Sequence, residues 1–197
     1  MHDAFMQSPL FAALDAEAAA ALRASLTETH VTRGETLFQE GEPGDRMYVI
    51  VDGKVKLGQT SNDGRETLLA VLGPGEMFGE LSLFDPGLRT STAVALTDAI
   101  VLGLGHDQLK PWLSGRPEVA AALLQALARR LRRTNEAMAD LVFSDVPGRV
   151  AKALMDLGEK FGTITPEGLM VTHDMTQEEL AQLVGASRET VNKALAD

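Results

Sequence analysis

Phe78-Gly79-Glu80-Leu81-Ser82-Leu83-Phe84 runs directly into Asp85-Pro86-Gly87-Leu88-Arg89-Thr90. A glycine followed by a short helical turn can aim free backbone N–H groups at an anion. Arg89 adds a forked, charge-assisted contact and Thr90 a hydroxyl donor. Glu80 has no use for an anion. It serves either as an acceptor for a sugar hydroxyl or as an ion-pair partner that holds Arg89 across the loop.

Around this segment, from about Val31 to Leu104, short β-type runs alternate with glycine. Met47-Tyr48-Val49-Ile50-Val51, Leu68-Leu69-Ala70-Val71-Leu72 and Ala99-Ile100-Val101-Leu102 read as buried strands, with Asp52-Gly53 and Asp63-Gly64 as turns between strands. Such regular strand–turn spacing predicts an antiparallel barrel or roll. Before it, Ala18 to Ala21 with Leu14, Leu22 and Leu26 reads as a small amphipathic helix.

Pro117 opens a long helix that runs to about Phe143 without internal glycine or proline. Its apolar residues Ala120, Leu124, Leu127, Leu131, Met138 and Leu141 follow alternating steps of four and three. That heptad seam predicts pairing of two copies. Thr134 stands where the series calls for an apolar residue. It either fixes register or joins Arg130 and Asn135 in presenting polar groups to a ligand at the dimer interface, and the glycine-rich segment favours the second.

Ser144-Asp145-Val146-Pro147-Gly148 reads as a cap and a hinge. A helix marked by Val150, Leu154, Leu157 and Phe161 then ends at Gly162, and a short strand covers Leu169 to Val171. Thr176-Gln177-Glu178-Glu179 is a capping box, and Ser187 caps a further helix containing Val191, Ala194 and Leu195. Small Ala181 at the crossing, Gly185 in the turn and Val191 as the plug make a helix-turn-helix rather than a generic helical hairpin. Its second helix would enter a major groove, where Arg188 can donate twice to guanine and Glu189 can accept from cytosine. Lys193 lies one turn on at the same face.

Composition narrows the function. The 197 residues are 45% hydrophobic and 23% charged, with 18 Lys+Arg against 28 Asp+Glu and a net charge of -10. Residues 1–115 carry -8, residues 116–143 carry +2 and residues 144–197 carry -4. Nucleic-acid binding by bulk charge is therefore excluded, and the single Trp and single Tyr argue against a base-stacking surface. The absence of cysteine removes disulfides, Cys-ligated zinc, iron–sulfur clusters and thiolate-bound haem. The four histidines lack ligand spacing. No metal site, catalytic arrangement, signal peptide or membrane span is readable.

Leu37-Phe38-Gln39-Glu40-Gly41-Glu42-Pro43-Gly44, continuing to Tyr48-Val49-Ile50 and Gly53, resembles the first signature of the cyclic-nucleotide-binding β-roll. Phe78 to Thr90 resembles that family's phosphate-binding cassette, with Ser91 where alanine is usual. Roll, long helix, hinge and helix-turn-helix in this order resemble the Crp/Fnr family of transcription regulators. The stretches Ala128 to Asn135, Asp145 to Val150 and Thr176 to Val191 look most like its actinobacterial cAMP-receptor members. The resemblance covers nearly the whole chain.

It implies an α+β fold: an antiparallel, jelly-roll-like β-roll over residues 1–115, a dimerisation helix over 116–143, and a helix-turn-helix DNA-binding domain over 144–197 without its wing. It implies cAMP as effector ligand, held by Gly79, Glu80, Leu81, Ser82, Arg89 and Thr90. Leu57, Leu69 and Ala70 would line the pocket. Arg130 and Thr134 would address the purine, and Asn135 would come from the partner subunit. Thr176, Gln177, Ser187, Arg188, Glu189, Thr190 and Lys193 would contact a palindromic TGTGA…TCACA-type site. Implied partners are a second copy, double-stranded DNA and RNA polymerase, in the cytoplasm. Family members continue past the recognition helix into a wing and a basic tail. The -4 charge of residues 144–197 then predicts weak, salt-sensitive DNA binding by this chain.

Overall fold

The computed structural model describes residues 8–12 and 14–196. Two short helices, α1 (Pro9–Ala12) and α2 (Ala16–Ser25), precede the strands. These are β1 (Thr27–Val31), β2 (Thr36–Phe38), β3 (Arg46–Asp52), β4 (Val55–Thr60), β5 (Glu66–Leu72), β6 (Met77–Phe78), β7 (Thr92–Ala95) and β8 (Ala99–Gly105). They form two antiparallel four-stranded sheets, ordered β1-β8-β3-β6 and β2-β7-β4-β5. The predicted roll is thus present, with its first strand starting earlier than the sequence suggests. Thr27 to His30 are all exposed, so no apolar alternation marks them.

Apolar residues on both faces of β3 and β8 serve two cores. Ile50 and Val101 join Phe38, Leu57 and Phe78 between the sheets. Met47, Val49, Leu102 and Leu104 pack outward against Phe11 and Leu22 of the N-terminal helices. The same outer core takes in Leu109 of α4 (His106–Gly115) and Val119 and Leu123 of α5 (Pro117–Phe143). A short helix, α3 (Leu81–Phe84), interrupts the strands at the cassette.

Pro117 sits in the first turn of α5, as predicted, and α5 ends at Phe143. Its seam residues Leu124, Leu131, Met138 and Leu141 are 57–66% exposed in the single chain, while Val119 and Leu123 on another face are buried. One face therefore holds the roll and a separate apolar stripe is left outward.

The break after α5 is shorter than the predicted hinge. Asp145 caps α6 (Val146–Phe161) by accepting a hydrogen bond from the Gly148 N–H at 2.9 Å. Pro147 and Gly148 thus belong to the first helical turn, where proline's missing N–H costs nothing, and only Ser144 and Asp145 lie between the helices. Gly162 ends α6 and also starts β9 (Gly162–Thr165), which pairs with β10 (Gly168–Val171) as a hairpin. Only the second of these strands is expected from the sequence. The last helices are α7 (Gln177–Val184) and α8 (Arg188–Ala196). Gly185 between them has φ +66°, a left-handed turn that a side chain would strain.

Candidate functional site

The cassette folds as a cleft between the roll and α5. Phe38, one of its lining residues, packs against an aromatic pair in which Tyr48 and Phe78 have ring centroids 5.2 Å apart and each lies 6.0 Å from Phe38. The Arg89 guanidinium lies over Phe38 at 4.1 Å, a cation–π contact that fixes its plane. Arg89 Nη1 donates to the backbone oxygens of Arg46 and Gly79, both at 2.9 Å. Gly79 has φ +75°, and a Cβ there would stand 2.8 Å from Arg89 Nη1. Gly44 allows a still closer approach, since a Cβ there would meet the Ser82 side chain at 2.2 Å.

Arg89 and Glu80 are 4% and 2% exposed. Burial pulls the Arg89 guanidinium below the usual arginine range, so the site favours an anion that would compensate the charge. The nearest carboxylate, Asp45, is 4.0 Å away, largely exposed and hydrogen-bonded to Arg46. Glu80 does not hold Arg89. Arg130, reaching down from α5, donates from Nη1 to Glu80 Oε1 at 2.7 Å, which ties α5 to the cassette. Two buried polar atoms are left over: Arg89 Nε, a donor, and Glu80 Oε2, an acceptor, neither with a hydrogen-bond partner.

The cleft is lined by Leu57, Gly79, Glu80, Leu81, Ser82, Arg89, Thr90 and Arg130, eight of the residues singled out from sequence. Leu69, Ala70, Thr134 and Asn135 are not part of this lining. Leu69 is half exposed beside the β4–β5 bulge, and Ala70 packs toward the core between the sheets. Thr134 and Asn135 are exposed on α5, the Thr134 hydroxyl donating back to Arg130 O at 3.0 Å. Phe38 and Ser91 also line the cleft. Phe38 lies within the first signature, but only the fold brings its ring beneath Arg89. Ser91, the departure from the family pattern, is buried there.

At the other end, the Thr176–Glu179 capping box is complete: the Thr176 hydroxyl accepts from Glu179 N–H at 3.1 Å and Glu179 accepts from Thr176 N–H at 2.7 Å. Ser187 accepts from Thr190 N–H at 3.2 Å, and the two hydroxyls share a hydrogen bond. Val191 is fully buried between the helices. Gln177, Arg188, Glu189 and Lys193 are exposed. The side chains of Arg188, Glu189 and Lys193 make no hydrogen bond or ion pair with the described residues.

Among the described residues no cluster of His, Cys, Asp or Glu could hold a metal ion, and no helix is long and apolar enough to cross a membrane.

Two family models match the chain: a cyclic nucleotide-binding domain over residues 28–115 and a Crp-like helix-turn-helix domain over residues 148–197. The chain is 55% identical, over its whole length and 88% of the relative, to the CRP-like cAMP-activated global transcriptional regulator of Mycobacterium tuberculosis. Among solved structures it resembles the N-terminal domain of a transcriptional regulator from Streptomyces coelicolor A3(2). That match has 63% identity and a TM-score of 0.57, and covers 68% of this chain and 96% of that one. It also resembles the c-di-GMP responsive global regulator CLP of Xanthomonas campestris, at 26% identity and a TM-score of 0.77 over 92% of this chain and 90% of that one. A nucleotide-type cassette joined through one helix to a Crp-like helix-turn-helix, together with this identity along the full chain, means that the protein belongs to the Crp/Fnr family of regulators, close to its actinobacterial members.

Proposed function

We propose that this chain is a cAMP-responsive, homodimeric, DNA-binding regulator of transcription. Residues 1–115 are the nucleotide-binding roll, 116–143 the dimer helix and 144–197 the DNA-reading unit. One observation carries the reading. Glu80 Oε2 and Arg89 Nε, an acceptor and a donor, are both buried and unpartnered at the same cleft. A cyclic nucleotide brings both complements, because its ribose hydroxyl donates and its cyclic phosphate accepts. Inorganic phosphate brings charge for Arg89 but no ribose hydroxyl for Glu80, and a neutral sugar brings no charge to compensate the buried Arg89 guanidinium.

Arg130 supports the regulatory part of the reading, since it belongs to α5 yet pairs with the cassette. A nucleotide that competes for Glu80 or extends past Arg130 changes what holds α5 to the roll. A ligand shifts an equilibrium only through such differential contacts. Thr134 and Asn135 lie one turn beyond Arg130 and are assigned to the purine once a second copy covers the exposed stripe of Leu124, Leu131, Met138 and Leu141. The stripe is the surface on which that copy pairs.

Arg188, Glu189 and Lys193 are the base-reading residues, for a palindromic TGTGA…TCACA-type site. Thr176, Gln177, Ser187 and Thr190 lie at the two helix starts and face the backbone. RNA polymerase is the partner this reading implies.

Calorimetric titration with cAMP tests the reading, with cGMP and cyclic di-GMP as comparisons and Arg89→Ala as the negative. Saturable cAMP binding that Arg89→Ala abolishes is the expected outcome. Binding of another cyclic nucleotide in preference would reassign the effector, and binding of none would overturn the assignment of the cleft.

A further inference from the structure

The strand that walls the cleft also carries the surface on which the DNA-reading unit sits. Successive side chains of a strand point to opposite faces. In β4, Val55 and Leu57 point inward, and Leu57 lines the cleft. Lys54, just before the strand, and Lys56 point outward. Lys54 Nζ donates to Thr172 O and to the Asp174 carboxylate in the segment leading to α7, and lies 4.7 Å from the Phe161 ring centroid. Lys56 pairs with Glu179 in the first turn of α7. From the other side Lys160, in the last turn of α6, reaches the roll. It donates to Val71 O at 3.0 Å and to both Glu76 carboxylate oxygens at 3.0 and 3.1 Å.

Glu76 has a second partner. Arg133 of α5, the residue before Thr134, stands 3.5 Å from the same carboxylate. One side chain of the roll therefore meets both the dimer helix beside the nucleotide-facing turn and the DNA-reading unit.

Between these charges lies a shared apolar core in which Leu68, Val71 and Leu96 of the roll pack with Leu157, Met175 and Leu180. Apolar contact is non-directional and tolerates sliding. Charge pairs at its margin define one register. Isolated exposed ion pairs contribute little, but Lys54 and Glu179 here are only 13% and 15% exposed and their partners 27% and 24%. Lys56 grips α7 at its N-terminal cap, and α8 is locked to α7 through Val191.

We propose that Lys54, Lys56 and Lys160 are positioning residues that tie the helix-turn-helix to the cleft-wall strand β4 and its neighbour β5, so that a displacement at Leu57 is delivered to the recognition helix through Lys56. This rests on the reading of the chain as a nucleotide-switched DNA-binding regulator. It adds to that reading a route through the sheet, beside the one through α5.

The chain contains no cysteine, so Asp63→Cys on the exposed β4–β5 turn and Glu178→Cys on α7 create a clean pair of spin-label sites. Labelled protein is diluted with excess unlabelled protein so that only distances within one chain are read. Three backgrounds are compared: the parent, Lys54→Gln/Lys56→Gln/Lys160→Gln, and the corresponding triple Lys→Arg. The parent is expected to give a narrow distance distribution whose mean moves when cAMP is added. The Gln variant broadens and loses the movement, and the Arg variant, which keeps the charges, restores both. Each variant still binds cAMP saturably in calorimetry, because none of these residues lines the cleft.

A Gln variant with the parent's width and the parent's response overturns the proposal. So does a parent that binds cAMP without any change in distance. Failure of the parent to bind cAMP counts against the functional reading instead, while the widths measured without nucleotide still decide whether the lysines hold the unit. Glu179→Gln is a second, milder probe: glutamine keeps the capping box but removes the partner charge, and it should broaden the distribution as Lys56→Gln does.

Discussion

The cleft and the recognition helix both use an arginine and a glutamate, and they use them in opposite ways. Arg89 and Glu80 are almost wholly buried, held by backbone oxygens, an aromatic ring and a residue of α5. Arg188 and Glu189 are exposed, and their side chains make no hydrogen bond or ion pair with the described residues. The first pair is organised before any ligand arrives, so it can discriminate a small molecule by the cost of leaving buried atoms unpaired. In the proposed function the second pair is organised only by the groove it would enter, so its side chains would contribute to recognition and almost nothing to stability.

The contrast can be broken most easily at Glu80. Glu80→Ala removes the acceptor and frees Arg130, and nucleotide affinity should fall by about 3 kcal/mol, over 100-fold, in calorimetry. A loss below tenfold would mean that the cleft is no more organised than the recognition helix. Next in size is Gly44→Ala, where the new Cβ collides with Ser82. Overpacking of this kind costs about 1–3 kcal/mol, read as a lowered urea midpoint, and Ser82→Gly in the same chain should recover most of it.

At the reading end, Arg188→Ala should leave the urea midpoint within about 0.5 kcal/mol. Discrimination at its base pair should fall by about 1–3 kcal/mol, measured by competition with single-base variants of the site. A destabilised Arg188→Ala protein would erase the distinction. The smallest effect is one of pH. Burial pushes the Glu179 carboxyl up, but the Lys56 ammonium and the Thr176 backbone and hydroxyl groups more than offset this, and it titrates below the ordinary range. A carboxylate lowered on folding contributes stability above its unfolded pKa of about 4.3 and loses it as pH falls through the folded value. Stability should therefore decline between pH 5 and pH 3 by a smaller amount in Lys56→Gln than in the parent.

Much of this is legible in the sequence. Glycine punctuation and strand runs announced the roll, and Pro117 and the heptad series gave the long helix to its last residue. Capping residues marked both helices of the helix-turn-helix, because caps and left-handed turns are local choices written in adjacent residues. What escaped was non-local. Glu80 choosing Arg130 over Arg89 depends on how α5 crosses the cassette, and Phe38 beneath Arg89 depends on strand register. The lysines of β4 look like an ordinary solvated edge until α6 and α7 are folded onto them. Strand β1 lies almost wholly before the stretch that reads as β-type, since its four exposed polar residues carry no period-two signal, and the break between helices is shorter than the sequence suggests because Pro147-Gly148 suits a first helical turn as well as a loop.

The two-residue junction at Ser144 and Asp145 has a geometric consequence. Each residue added to or removed from an α-helix turns everything beyond it by about 100° and moves it by about 1.5 Å. With Phe143 still helical on one side and the Asp145 cap starting α6 on the other, there is no slack in which such a change can be absorbed. In the proposed dimer, one inserted alanine at the end of α5 would swing the recognition helix out of phase with its twin, whereas the exposed Ser61–Arg65 turn can change length with no such penalty. Natural length variation in this protein should therefore collect in the roll's turns and avoid the single step between two helices on which the aim of the whole molecule depends.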